Sequence, residues 1–159
     1  MLVCNLMITA GSLSAQVISE LPPFERAIAV IKHFEGLHNK AEHYPYVGYG
    51  HKVLPGENLS MDMTEEEADR LLRSDLMKLC KMFSGYGQDS LLLATLAYNV
   101  GAYRLLGYDD RPKSRLIQML DEGDRNIYRE YITFRKYKGK VIPSLELRRR
   151  MEFELLYIP

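Results

Sequence analysis

Glu35 closes an apolar-periodic run and is followed at once by Gly36. Beyond it lies a segment dense in Gly, Tyr and His that ends on Gly48-Tyr49-Gly50-His51. A carboxylate at the stop of a helix can project into a cleft whose opposite wall is such a turn-rich segment. A polymer lying between the two would meet a proton donor, and the chemistry that suits this layout is general acid catalysis at a glycosidic oxygen. Such an acid must still hold a proton near neutral pH, which burial beside apolar groups can arrange. Glu42, the sole acid between Glu35 and Gly48, is the candidate second carboxylate.

Other residues of the same region could bind. Tyr46 and Tyr49 sit on the presumed wall, and a tyrosine offers a sugar both an apolar face and a polar tip. Asn99 either hydrogen-bonds an N-acetyl group or caps the end of its helix. His33, His38, His43 and His51 crowd around Glu35 and Glu42, which raises the question of a metal. The spacing His33-x-Glu35-x-x-His38 is not the His-Glu-x-x-His of zinc peptidases, and no Cys assists. No metal and no cofactor are expected. The C-terminal third is locally basic. Arg148-Arg149-Arg150 reads as a solvated face with Glu146, Glu152 and Glu154 as partners, or as a surface attracted to an acidic polymer.

The elements that must hold these residues are mostly helical. Pro22-Pro23 open a helix whose apolar positions 24, 27, 28, 31 and 34 keep helical spacing, and Gly36 stops it. Leu37 to Pro55 reads as a small hairpin or extended loops. Thr64-Glu65-Glu66-Glu67 is a capping box for a helix reaching about Phe83. Residues 89–98 are apolar nearly all round, which places that helix at the centre of the domain. Further helices are predicted over 112–121, 124–137 and 144–156. The fold class is therefore mainly α, about six helices with a minor β lobe.

The chain has 159 residues, and its 21 basic side chains balance its 21 acidic ones. This leaves no overall basic field for nucleic acid or an anionic membrane. Met1 to Ser19 carry no charge, and an apolar run there ends in Ser14-Ala15 before Gln16. This pattern predicts a signal peptide over 1–15, although the usual positive start is missing, and a single mature domain over 16–159. The mature chain would be exported to the periplasm or secreted, without stable membrane insertion. Without the signal the chain would stay in the cytoplasm. Cys4 would leave with the signal, and Cys80 would remain alone in an apolar helical stretch. A monomer is expected.

Several pieces, in order, resemble the phage-type lysozymes. They are Glu35-Gly36-Leu37 with Gly48-Tyr49-Gly50-His51, then Met63-Thr64-Glu65-Glu66-Glu67-Ala68-Asp69, then Ala97-Tyr98-Asn99-Val100-Gly101, and finally Arg148-Arg149-Arg150 with Glu152. The chain also resembles lysozyme-like proteins carried by conjugative elements. The resemblance implies a lysozyme-like α+β fold with a hairpin lobe closing a cleft. It implies peptidoglycan glycan strands as substrate, with Glu35 as proton donor in cleaving the bond between N-acetylmuramic acid and N-acetylglucosamine. It suggests that His51 pairs with Asp75 as a structural tie between the lobes. The family's Asp and Thr positions are occupied here by Tyr44 and Tyr46, which makes Tyr46 a candidate at the catalytic centre too. Three chemistries stay open. Glu42 could complete a two-carboxylate site. Glu35 could act alone, as in lytic transglycosylases. Or the fold could bind the wall without cutting it, as a component of a conjugation or secretion machine.

Overall fold

The computed structural model describes residues 15–159. The predicted signal segment and Cys4 lie outside the described residues, apart from Ala15, which begins the first helix. Two helices lead in, α1 (Ala15–Glu20) and α2 (Pro23–Glu35). Pro23 stands in the first turn of α2, where its missing N–H costs nothing, and Gly36 ends the helix at φ 70° with its N–H bonded to the Lys32 carbonyl. A hairpin of β1 (Tyr46–Val47) and β2 (His51–Lys52) follows, pairing Val47 with His51. It buries Val47 completely.

The helical body starts at α3 (Glu65–Met82). The Thr64 hydroxyl accepts from the Glu67 N–H, while the Glu67 carboxylate accepts from the Thr64 N–H, so the predicted capping box is present. Ala68, Leu72 and Leu76, one turn apart, form its buried stripe. Burial of each leucine contributes about 1.5–3 kcal/mol. The stripe packs on α4 (Ser90–Val100), in which every residue from Leu92 to Ala97 is buried. Around α4 also lie α2 and α8 (Pro143–Leu156), making α4 the axis of the core. The chain reaches α8 through α5 (Ala102–Leu106), α6 (Arg115–Asp121) and α7 (Tyr128–Ile132).

The protein is thus mainly α with a small antiparallel hairpin lobe, in a lysozyme-like arrangement. The helix predicted over 124–137 is corrected. Only Tyr128–Ile132 is α-helical, and a second hairpin follows, β3 (Lys136–Tyr137) with β4 (Lys140–Val141). Its turn residues Lys138 and Gly139 both have positive φ, 48° and 78°, a pair that suits a two-residue hairpin and no helix. The short helices α1 and α5 were not predicted either. Both are too brief to leave a periodic signature.

Candidate active site

The floor of the site is built by α2 and α8. Glu35, at the C-terminal end of α2, is partly exposed. Its Oε1 accepts a 2.6 Å hydrogen bond from Nη1 of Arg148, whose side chain is 2% exposed. The setting of Glu35 is not purely apolar: the Arg148 guanidinium holds it and also lies over the Phe34 ring. Oε2 makes no hydrogen bond among the described residues. It faces Gly50, where an added Cβ would stand 3.1 Å from it. Gly50 has φ 93° and so is doubly suited to glycine, by conformation and by contact with the acid.

Behind Glu35 lies a buried ionic cluster. Arg148 Nε donates to Glu152 Oε1 at 2.9 Å, and Tyr131 donates its hydroxyl to Oε2 at 2.8 Å. Arg149 Nη1 lies 3.0 Å from the same Oε2, and its Nη2 donates to Asn99 Oδ1 at 2.9 Å. Arg149 and Glu152 are fully buried. The solvated-face reading of this arginine run is overturned for Arg148 and Arg149, while the exposed Arg150 pairs with Glu146. Arg148, Arg149, Glu152 and Leu156 share one face of α8, and that face packs inward. Two guanidiniums face Glu152 and Glu35, so the charges balance only when Glu35 is counted. Burial disfavours the Arg148 charge, but Glu152 and Glu35 more than offset it and raise its pKa. Burial pushes the Glu152 carboxyl up, against the attraction of Arg149 and Arg148.

The hairpin is the wall. His51 Nδ1 lies 2.5 Å from Asp75 Oδ2 on α3, and Nε2 lies 2.9 Å from Glu57 Oε2. Lys78 donates to the other Asp75 oxygen, and the Leu54 N–H donates to Glu57. With a carboxylate at each nitrogen, the doubly protonated ring donates on both sides. Burial opposes its charge, yet the hydrogen bonds to Glu57 and Asp75 prevail and raise the pKa above the ordinary imidazole value. The Tyr98 hydroxyl on α4 donates to the Tyr49 carbonyl and so ties the hairpin tip to the central helix. Burial pushes that phenol up, with Asp75 and Glu35 adding to the effect.

The remaining candidates separate. Tyr46 is exposed on β1, with its edge toward His38. Tyr49 is corrected as a sugar-contacting ring: it is 8% exposed, part of the core, and lies beneath the Lys32 ammonium. Asn99 does not cap α4, since the helix runs on to Val100 and Gly101 ends it. Its carbonyl oxygen is instead committed to Arg149. Glu42 stands on the 3-10 turn Ala41–His43 with its side chain 73% exposed, its single ionic neighbour among the described residues being His43 at 4.0 Å. Sequence reasoning missed Arg148, Arg149 and Glu57 as site residues. For the arginines, the stripe on α8 was the available signal.

The family profile of phage lysozyme matches residues 32–152, and the chain belongs to that family. No curated protein matches it in sequence. Among solved structures it is similar to the muramidase domain of SpmX from Asticaccaulis excentricus, with a TM-score of 0.61 and 24% identity over 84% of this chain and 96% of that one. Like the members of its family, the protein is a lysozyme-like, peptidoglycan-directed chain.

Proposed function

We propose that this chain is an exported muramidase that cleaves the β-1,4 bond between N-acetylmuramic acid and N-acetylglucosamine, with Glu35 as the general acid. The observation that carries the reading is the division of labour on the Glu35 carboxyl: Oε1 is held by Arg148, and Oε2, facing Gly50 on the hairpin, has no hydrogen bond among the described residues. The proton given to the glycosidic oxygen would leave from Oε2. As the C–O bond breaks, the carboxylate that forms already faces a fixed guanidinium, so its charge develops without reorganisation. Water then takes the anomeric carbon, and its proton returns to Glu35. Asn99 spends its carbonyl oxygen on Arg149, and among the described residues its amide N–H groups have no hydrogen-bond partner, which leaves them for an acetamido carbonyl. No cofactor enters this reaction.

A second reading has its own support. Glu42 is mostly exposed, and the carboxylate that shares Arg148 with Glu35, Glu152, is fully buried behind it. That favours Glu35 acting alone, the substrate's own hydroxyl closing an anhydro ring as in lytic transglycosylases. Mass spectrometry of muropeptides released from purified sacculi tests both. Reducing muramic ends that vanish in Glu35→Gln identify a hydrolase, and anhydro-muramyl ends identify the transglycosylase. Release of nothing from any wall type would sink both in favour of a binding role.

A further inference from the structure

The wall histidine is placed to do more than tie two lobes together. His51 directly follows Gly50, the residue whose backbone lies against the acid. A Cβ built on Gly50 would stand 3.1 Å from Glu35 Oε2 and 3.3 Å from Cδ. Whatever fixes His51 therefore fixes the hairpin backbone beside the oxygen that would give up the proton.

Two carboxylates fix it, and they stand on unlike supports. Asp75 is carried by the 18-residue helix α3, its side chain is 15% exposed, and its other oxygen accepts from Lys78. Glu57 stands in the loop between β2 and α3 with 34% of its side chain exposed. Leu54, Pro55, Gly56 and Asn58 around it are exposed too, and its Oε2 also accepts from the Leu54 N–H of the same loop. The other elements against the hairpin contribute groups of steadier charge. From α4 the Tyr98 phenol donates to the Tyr49 carbonyl, and burial keeps its proton on. From α2 come Lys32, over the Tyr49 ring, and Glu35, whose Oε1 is held by Arg148.

A doubly protonated ring donates to both carboxylates, from Nδ1 at 2.5 Å and from Nε2 at 2.9 Å. A neutral ring keeps one proton. The shorter and more buried contact with Asp75 retains it on Nδ1, which leaves a bare Nε2 lone pair facing the Glu57 carboxylate. Two acceptors repel, and the exposed loop yields before α3 does. We infer that Glu57 is a positioning residue: through His51 it holds Gly50 against Glu35, and the hold is released when the ring gives up its second proton. This rests on the muramidase reading and adds to it the residue that sets the alkaline limit of activity. Burial disfavours the charged ring, but the hydrogen bonds to Glu57 and Asp75 outweigh it. Activity therefore persists above the ordinary imidazole value of about 6.5 and falls as pH rises through the folded one.

The test compares two titrations of one protein. One is the rate of muropeptide release from purified sacculi as a function of pH. The other is the His51 imidazole followed by NMR, its signal assigned among the four histidines by its loss in His51→Gln. In the wild type, the alkaline fall in rate should coincide with the His51 titration. Glu57→Gln keeps an acceptor for the Nε2 proton and removes the charge, so it should carry both titrations to lower pH together, by about one pH unit. An imidazole titration that moves while the rate profile stays would overturn the role of Glu57 and leave the muramidase reading standing. A residue that merely stabilised the fold would behave that way. An imidazole titration that Glu57→Gln does not move would overturn the role equally. Should that variant fail to fold, the wild type decides alone, and a mismatch between its two titrations overturns the proposal. Absence of muropeptide release at every pH would overturn the muramidase reading and the proposal with it.

Discussion

The two sides of the candidate site use charge in opposite ways. On the floor, Arg148, Arg149 and Glu152 are sealed from water, and Glu35 is the one member of the cluster that reaches the cleft. On the wall, His51 bridges Asp75 and the loop carboxylate Glu57 at a partly exposed position. Buried ion pairs carry a large desolvation cost, so each member depends on its partners and the geometry stays fixed over a wide pH range. The wall histidine is mostly buried too, but one of its carboxylate partners, Glu57, keeps a third of its side chain in water, and the strength of the pairing follows pH. Glu35 is thus mounted on a buried ionic cluster, and a histidine whose pairing follows pH holds the opposite wall.

Four substitutions test that contrast, from the largest expected effect downward. Glu35→Gln should lower the rate of muropeptide release by about 10²–10⁴-fold, the usual worth of a general acid, with the circular dichroism spectrum retained. Arg148→Met should leave Glu152 with an incomplete set of partners. Removing one member of a buried pair typically costs about 3–5 kcal/mol. For a chain of this size, each kcal/mol lowers Tm by about 2–4 °C. A drop of only a degree or two in a thermal melt would mean that the floor is held no more tightly than the wall.

The third is a pH effect on the wall. The His51 pKa is raised in the folded protein, so its stabilisation is complete below the ordinary imidazole value of about 6.5 and is lost as pH rises through the folded value. Denaturant unfolding from pH 6 upward should show this loss in the wild type and a flatter profile in Asp75→Asn. Equal slopes in the two proteins would remove the histidine from the account. The smallest effect belongs to Glu42→Gln. Given its exposure, it should cut activity far less than Glu35→Gln. A loss as large would make it the second carboxylate.

Particular residues explain what was legible from sequence. Glu35 with Gly36, the Thr64 capping box and the all-apolar Leu92–Ala97 stretch each signal through a few neighbouring residues, and each lies where such signals put it. The second hairpin was hidden because Lys138-Gly139 is a weak turn signal inside a basic run that also suits a helix. Tyr49 looked available because a tyrosine in a turn-rich segment usually is. It is covered because Val47 and Tyr49 are drawn into the core beside α2 and α3.

The sequence by itself determined the class of fold, the place where α2 stops, and hence which carboxylate stands at the edge of the cleft. Those are matters of backbone propensity, capping and periodicity, which act over a turn or two. Only the tertiary structure decided that Arg148 would grip Glu35 across 113 positions of chain, that Arg149 would claim Asn99, and that His51 would reach two carboxylates. A charged side chain has several possible partners within its reach. Which one it takes depends on the faces that long-range packing turns inward, and that choice is made by the whole core at once.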